Sequence, residues 1–243
     1  MHKFFVEAAS ISEDSIKICG DDAHHISRVL RLKEDDEIIV SDSLGKDYYC
    51  TLKSISANEV IAWILKSEIS QSEAPIKITL YQGVPKGDKL DTVIQKCVEL
   101  GAVKIVPVAM KRSVAVIKDS DKKQKRMQRI AYEAAKQCGR AIVPEIGHVL
   151  SFKEAVADAL GFDLKIVAYE AETESSLKAT LTQNKDAKSI ALFIGPEGGF
   201  DISEINLAKE NGFDIITLGP RILRTETAPL ACISAIMYEL GDW

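Results

Sequence analysis

From residue 76 onward, short apolar segments alternate with segments of helical apolar spacing, and this alternation constrains the fold more than any other feature of the chain. The apolar runs, such as IALFIG at 190–195, are continuous, which is typical of strands covered on both faces. One helical segment, Lys89–Leu100, ends at Gly101, a residue suited to a helix C-terminus. The pattern predicts an α/β domain built on a parallel sheet.

Two later helices are predicted from their starts. Ser151 is followed three residues later by Glu154, and Asp201 by Glu204. This is the spacing of a capping box, in which each side chain binds the backbone N–H at the other position. We therefore expect helices to begin just after Ser151 and Asp201.

The beginning of the chain has a different character. Three segments rich in β-branched and aromatic residues, DEIIVSDS, DYYCTLKSI and EVIAWILKS, are separated by polar turns and predict a small β-barrel. The polar stretch SEISQSEAP then closes with Pro75. We therefore divide the chain into a barrel at 1–72 and an α/β domain at 73–243.

A short helix is predicted within the barrel part, over Asp22–Arg31. Its apolar side contains Ile26, Val29 and Leu30. Arg28 and Arg31 are expected to point away from that side.

Composition excludes several kinds of site. The five cysteines contain no C-x-x-C pair and the four histidines have no metal-ligand spacing, so we expect reduced, mostly buried thiols and no metal. No apolar run approaches the roughly 20 residues that span a bilayer, and the N-terminal segment lacks the pattern of a secretory signal. We expect a cytoplasmic protein without membrane contact.

The charge is unevenly distributed along the chain. The net charge is −5, and residues 1–72 alone hold 8 Lys/Arg against 13 Asp/Glu. Lys104–Arg140, by contrast, holds 11 Lys/Arg against 3 Asp/Glu, a local +8. Such a run is either a phosphate-facing patch or a solvated helix face, and charge alone favours the second reading.

Spacing within this run shifts the balance toward a patch. A helix is predicted from about Ser120 to Cys138. One predicted face carries polar residues and the other carries buried ones. The polar face is Arg129, Glu133, Lys136 and Arg140, and the buried face is Met127, Ile130, Ala134 and Cys138.

Two glycine-bearing loops follow predicted strands. GPEGGF, at 195–200, follows IALFI and precedes the helix that begins after Asp201. LGPRILRTETAP, at 218–229, leads into the last helix, with Pro229 suited to its first turn. Because the carboxyl ends of parallel strands form the ligand crevice, the two loops predict one shared pocket.

The loop chemistry argues against a bound pyrophosphate. GVPKGDK, at 83–89, has the wrong spacing for a phosphate-binding Walker loop, and Glu197 would repel a dinucleotide. Gly198 and Gly199 allow close backbone approach to a purine, and a carboxylate favours a cation, so an adenosine that carries a sulfonium suits the loop. An ordinary structural turn explains the motif equally well.

Five strings, in their order along the chain, indicate a family. RVLRLK, IQKCVELGA, RIAYEAAKQCGR, GPEGGF and LGPRILRTETA together resemble the RsmE-type 16S ribosomal RNA uridine methyltransferases of the SPOUT class. The resemblance implies a PUA-like β-barrel joined to an α/β domain with a C-terminal trefoil knot. It also implies a homodimer, S-adenosylmethionine as cofactor, and methylation of uridine N3 in the 16S rRNA of the small ribosomal subunit.

The resemblance also implies roles for individual residues. Arg140 is expected to stabilise the uracil anion and Glu133 to accept its proton, with Gln137 nearby. Lys3 stands where the family has arginine, which leaves its role in RNA contact open. The expected cofactor-binding residues are Tyr169, Glu170, Gly195, Pro196, Glu197, Gly198, Gly199, Leu218, Gly219, Ile222, Leu223, Arg224, Glu226 and Thr227. The expected RNA-binding residues are Lys3, Arg28, Arg31, Lys86, Arg112, Arg126 and Arg129.

Two other functions remain open from the sequence. One is a non-catalytic RNA-binding or ribosome-assembly factor with the same fold, against which the intact cofactor loops argue. The other is a phosphate-binding hydrolase, which the failed Walker spacing disfavours.

Overall fold

The computed structural model describes residues 1–114 and 120–243, without the side chains of Ser120 and Asp121. By internal contacts the chain divides into two compact units. The first comprises Met1–Glu73 with Ala135–Val143, and the second comprises Ala74–Ala134 with Pro144–Trp243. Lys118 and Asp119 of the basic run lie outside the described residues.

The first unit is built around a mixed β-sheet. Its described strands are β1 (His2–Phe5), β2 (Ser15–Cys19), β3 (Glu37–Ser41), β4 (Lys46–Ile55) and β5 (Glu59–Ile69). They lie in the order β1-β3-β4-β5-β2, with β1 parallel to β3 and the other pairs antiparallel. Apolar side chains from all five strands form one buried cluster, which includes Phe4, Ile16, Ile38, Leu52 and Val60.

The predicted helix over Asp22–Arg31 differs from its expected form. Helix α1 (Asp21–His24) continues into a π-helical turn at His25–Leu30. A π-helix has i→i+5 hydrogen bonds and a wider turn, so its later residues leave the 3.6-residue positions. The prediction that Val29 lies on the apolar side of this helix is therefore wrong, since Val29 is 62% exposed. Arg28 and Arg31 are exposed, as expected.

The second unit is built on a parallel sheet, as the alternation of segments predicts. Its strands lie in the order β12-β10-β11-β6-β7-β8, with β9 paired beside β7. An aromatic cluster that includes Tyr81, Phe152, Phe193 and Phe200 packs in its core. The described strands are β6 (Lys77–Gly83), β7 (Lys104–Ala109), β8 (Glu145–Ile146), β9 (Leu150–Ser151), β10 (Leu164–Ala168), β11 (Ser189–Ile194) and β12 (Asp214–Ile216).

The helices begin and end largely where the sequence predicts. Ser151 and Asp201 each form a complete capping box, and Pro229 lies in the first turn of the last helix. Gly101 follows the end of the first long helix with a positive φ of 99°. The described helices after α1 are α2 (Lys89–Glu99), α3 (Ser120–Cys138), α4 (Phe152–Asp158), α5 (Leu177–Gln183), α6 (Ile202–Glu210) and α7 (Ala228–Leu240).

The polar face predicted for α3 is wrong at its end. The helix stops at Cys138 because Gly139 adopts a φ of 78°, and Arg140 therefore leaves the helical positions. Arg140 is 4% exposed, whereas Arg129 and Glu133 are exposed. On the opposite face Met127 and Ala134 are buried as expected, but Ile130 is only half-buried and Cys138 is exposed.

Residues 135–143 belong to the first unit through polar contacts. Arg140 Nη2 donates to Glu73 Oε2 at 2.6 Å, and the backbone N–H of Ala141 donates to Glu73 Oε1 at 2.9 Å. Lys3 Nζ donates to Asp47 Oδ2 at 2.8 Å and to the carbonyl oxygen of Gly139 at 3.0 Å. The short segment after α3 is thereby hydrogen-bonded to residues from the beginning of the chain.

Candidate functional site

Three loops meet at the carboxyl edge of the second unit's sheet. Residues 169–175 follow β10, residues 195–200 follow β11 and residues 217–227 follow β12, and these strands are neighbours. Together the loops line a cavity of about 900 Å³. The structure thus brings the two glycine-bearing loops together and adds the loop after β10.

Most of the residues predicted to bind a cofactor line this cavity. They are Tyr169, Glu170, Gly195, Pro196, Glu197, Gly198, Gly199, Leu218, Gly219, Ile222, Leu223 and Arg224. Glu226 and Thr227 are not among its described lining residues. Thr227 immediately precedes α7, and Glu226 contacts Lys89.

The glycines of the 195–200 loop are needed for different reasons. Gly199 has a φ of 66°, and a Cβ there would lie 2.2 Å from Glu170 Oε1. A Cβ on Gly198 would lie 3.0 Å from the carbonyl oxygen of Arg112. The sequence suggested that Gly198 makes room for a ligand, whereas the structure shows that it also makes room for Arg112.

Lys89 bridges the two glycine loops. Its Nζ lies 3.0 Å from Glu197 Oε1 and 3.4 Å from Glu226 Oε2. Glu197 also accepts from the backbone N–H of Lys86 at 3.2 Å. Lys89 is the first residue of α2, where the helix dipole disfavours a cation. A lysine at this position therefore indicates nearby carboxylates that compensate its charge, and this is a sequence signal that we missed.

The bridge shifts the titration of both partners. Burial alone would raise the pKa of Glu197, but hydrogen bonds from Lys89 and backbone N–H groups, with the charge of Lys89, hold that pKa below its ordinary value. The hydrogen bond to Glu197 raises the pKa of Lys89 above its ordinary value. The pair is therefore fully charged across the neutral range.

A pH series should reveal this bridge in the free energy of unfolding. A lowered pKa stabilises the fold above the ordinary Glu value of about 4.3, and that stabilisation is lost as pH falls through the folded-state pKa. We expect Glu197→Gln to be less stable than the unchanged protein by at most about 1 kcal/mol near neutrality, since the pair is partly exposed. The difference should shrink below about pH 4 in urea titrations. A difference that stays constant down to that range would contradict the assignment.

The wall of the cavity combines apolar and charged side chains. Leu218, Ile222 and Leu223 offer apolar surface, and Ile222 is 83% exposed. Both signs of charge are present, from Lys89, Arg221, Arg224, Glu170, Glu172 and Glu197. Such a wall fits a ligand with a flat apolar group and with both positive and negative charges.

The residues predicted to contact RNA have different surroundings. Lys86 and Arg112 lie beside the 195–200 loop, where Arg112 Nη1 donates to the carbonyl oxygen of Gly198 at 3.3 Å. Arg126 is exposed and pairs with Asp91. Lys3, by contrast, is 8% exposed, and its charge is compensated by Asp47 within the first unit.

The described residues hold no group of three or more His, Cys, Asp or Glu side chains arranged to bind a metal ion. Across 1–114 and 120–243, the helices are all too short or too polar to cross a membrane.

Two family models match the chain. One, described as an RNA methyltransferase domain, matches residues 72–237. The other, described as an RNA methyltransferase PUA domain, matches residues 18–65. The two matches cover the α/β unit and much of the N-terminal sheet.

Full-length relatives agree with these models. The ribosomal RNA small subunit methyltransferase E of Bacillus subtilis (strain 168) is 38% identical, over 98% of this chain and 97% of its own. The Synechocystis protein of the same name is 33% identical, over 97% of this chain and 77% of its own. A crystal structure of a ribosomal RNA small subunit methyltransferase E from Neisseria gonorrhoeae, bound to S-adenosyl methionine, is 31% identical with a TM-score of 0.89, covering 100% of this chain and 99% of that one. Since the likeness extends over both parts and nearly the full length, this chain belongs to the ribosomal RNA small subunit methyltransferase E family.

Proposed function

We propose that this protein transfers a methyl group from S-adenosylmethionine to N3 of a specific uridine in the 16S rRNA of the small ribosomal subunit. The observation that carries the proposal is the cavity shared by the loops after β10, β11 and β12 in a member of this methyltransferase family. A non-catalytic RNA-binding or assembly factor would not need to keep these loops in contact around an open cavity.

The residues of the cavity fit the cofactor. Leu218, Ile222 and Leu223 can cover the adenine ring, and the backbone at Gly198 and Gly199 can approach it closely. The carboxylates of Glu170 and Glu197 favour the cationic sulfonium, and Arg221 or Arg224 suits the carboxylate of the methionine part. When bound, S-adenosylmethionine supplies an electrophilic methyl group on a positively charged sulfur.

The protein must prepare uridine N3 for the transfer. N3 carries a proton at neutral pH, and this proton must leave before the electron pair on N3 can form a bond. The N3 pair then forms the new bond to the methyl carbon, and the electrons of the broken C–S bond remain on sulfur. A cation near the uracil oxygens stabilises the negative charge that develops. By the family resemblance, Arg140 is our candidate for that cation and Glu133 for the proton acceptor. In this structure Arg140 is buried and paired with Glu73, so the role requires its guanidinium to become available to the uracil.

We assign the two sequence regions different tasks. We propose that residues 1–72 form an RNA-binding PUA-like barrel and that residues 73–243 form the methyltransferase domain, although residues 135–143 belong to the first compact unit. The exposed guanidinium groups of Arg28, Arg31 and Arg129, and the exposed side chains of Lys86 and Arg112, are the proposed phosphate contacts. Lys3, Arg112 and Arg126 are weaker candidates because each is already paired with a carboxylate.

RNA binding should be strongly salt-dependent although the protein is acidic. Each phosphate contact contributes a slope of about 0.7 to 0.9 in the logarithm of affinity against the logarithm of salt concentration. We expect Arg129→Ala to lower the slope by about that amount for a 16S rRNA fragment. Lys153→Ala, an exposed lysine of α4, is the matched control and should leave the slope unchanged. Equal slopes for Arg129→Ala and the unchanged protein would make Arg129 an ordinary solvated side chain.

We also propose a C-terminal trefoil knot and a homodimer. The proposal of a knot rests on the resemblance to the SPOUT class. An experimental density map whose C-terminal trace passes through no loop would exclude it. Light scattering that finds a 26.7 kDa monomer at micromolar concentration would exclude the dimer.

The proposed function is tested on ribosomal RNA itself. We expect 16S rRNA from a strain lacking this protein to miss one uridine methyl group in mass mapping, and purified protein with S-adenosylmethionine to restore it. Calorimetry should show binding of S-adenosylmethionine but not of ATP. RNA binding without methyl transfer or cofactor binding would instead identify an assembly factor.

A further inference from the structure

The loops at 195–200 and 217–227 are joined by two different connections. One is the ionic bridge of Lys89 with Glu197 and Glu226, in which the Lys89 side chain is 37% exposed. The other is neutral and buried, and it runs from the end of β6 through Thr225 to Gly195. Gln82 lies in none of the strings that indicate the family, and Thr225 lies in LGPRILRTETA without a role assigned to it there.

The buried connection is a directed chain of hydrogen bonds. The Thr225 hydroxyl donates to the carbonyl oxygen of Gly195 at 2.7 Å. Gln82 Nε2 donates to Thr225 Oγ1 at 3.0 Å and to the carbonyl oxygen of Gly83 at 3.0 Å. A hydroxyl has only one proton. Because Thr225 donates that proton to Gly195, its oxygen must accept from Gln82, so the side-chain amide of Gln82 must present Nε2 to Thr225.

Burial makes this chain effective. Gln82 is fully buried and Thr225 is 6% exposed, so water cannot readily replace either partner. Gln82 lies in the middle of the sheet, opposite Ile194 of β11 and Pro107 of β7. The chain therefore connects a rigid strand to the first residue of the 195–200 loop and to the loop after β12.

We infer that Gln82 and Thr225 are positioning residues that hold Gly195 and the loop at 217–227 in the arrangement that binds S-adenosylmethionine. Thr225 also lines the cavity, but neither residue needs to touch the reacting atoms. This inference rests on the proposed function and concerns the same cavity.

The test compares variants that differ in a single hydroxyl. Thr225→Val keeps the shape of the side chain and removes the proton donor, whereas Thr225→Ser keeps the donor. We expect Thr225→Val to bind S-adenosylmethionine about tenfold more weakly by calorimetry, the order of one buried hydrogen bond. Thr225→Ser should recover most of the affinity. Thr79→Val removes a hydroxyl from a similarly buried threonine of the same strand as Gln82, outside the cavity wall, and is the matched control.

Salt separates positioning from a general loss of stability. Salt screens the Lys89 bridge but has little effect on the buried neutral chain. Of these two connections Thr225→Val keeps only the ionic one, so the affinity ratio between the unchanged protein and the variant should grow with salt concentration. A merely destabilised variant would show a salt-independent ratio.

Several results would overturn the inference. They are equal affinity of Thr225→Val and the unchanged protein, equal losses for Thr225→Ser and Thr225→Val, or a salt-independent ratio. If Thr225→Val does not fold, Gln82→Met removes the other donor at nearly constant length, and unchanged affinity in that variant overturns the inference. Failure of the unchanged protein to bind S-adenosylmethionine would contradict the proposed function instead.

Discussion

Replacing Arg140 with alanine is expected to lower the free energy of unfolding by up to about 3–5 kcal/mol, because it leaves a largely buried carboxylate without its cation. The Arg140 and Glu73 side chains are 5% and 17% exposed, and Nη2 and Nε of the arginine lie 2.6 Å and 3.3 Å from the two carboxylate oxygens. Glu73 also accepts from the N–H groups of Ala141 and Ile142. Loss of the guanidinium should therefore weaken the whole attachment of residues 135–143.

Urea titration of matched variants measures this effect. Arg129→Ala removes an exposed arginine of α3 and should change stability by less than about 0.5 kcal/mol. Glu73→Ala should cost about as much as Arg140→Ala, and the double variant should cost much less than their sum, because both changes disrupt one pair. Arg140→Ala with unchanged stability would show that the ion pair contributes nothing to the fold.

The same variant separates the structural role of Arg140 from the proposed chemical role. If Arg140 stabilises the uracil anion, single-turnover methyl transfer should fall by more than the loss of folded protein explains. It should recover partly as pH rises and more uracil ionises unaided, while S-adenosylmethionine affinity stays intact. A loss of RNA binding in proportion to methylation, with no recovery at high pH, would assign Arg140 to structure or phosphate contact.

Gly83→Ala should cause the second large effect, on the cofactor cavity. A Cβ on Gly83 would lie 2.6 Å from both the nitrogen and Cδ of Pro196 and 2.9 Å from Met110 Sδ. Because the proline ring and backbone cannot move aside cheaply, the 195–200 loop must shift. We expect a cost of about 1–3 kcal/mol in stability and a loss of S-adenosylmethionine affinity of at least about tenfold.

The control for Gly83→Ala is Gly161→Ala. Gly161 likewise lacks a positive φ, but a Cβ there would meet no atom within 4 Å. Its variant should bind S-adenosylmethionine as well as the unchanged protein does in calorimetry. If Gly83→Ala also binds normally, the loop tolerates displacement and the close approach of β6 is not required.

The parts of the fold that the sequence predicts correctly depend on neighbouring residues. The capping boxes at Ser151 and Asp201 and the helix end at Gly101 are local, and their chemistry is visible within a few positions. The clustering of the glycine loops is also predictable, because parallel strands place their carboxyl ends at one edge. Local pattern and sheet direction thus locate most of the cavity.

The parts that sequence reasoning missed depend on distant partners. The sequence predicts Arg140 on a helix face, but its pairing with Glu73, 67 residues earlier, has no sequence pattern. Lys89 lies in no cofactor motif, and Thr225 lies in LGPRILRTETA without a role assigned to it there; their contacts appear only when the loops from three strands meet. Val29 was misassigned because a π-helical turn cannot be distinguished from an α-helix by apolar spacing.

The membership of residues 135–143 in the first unit also determines when that unit can form during synthesis. Lys3 contacts the carbonyl oxygen of Gly139, 136 positions further along the chain. At about 5–20 residues per second, a ribosome needs roughly 4–14 s to add residues 74–143 after Glu73. During that interval the N-terminal strands lack the partners that residues 135–143 provide to Lys3 and Glu73, so the nascent N-terminal segment must wait for later residues to emerge before its polar contacts can close.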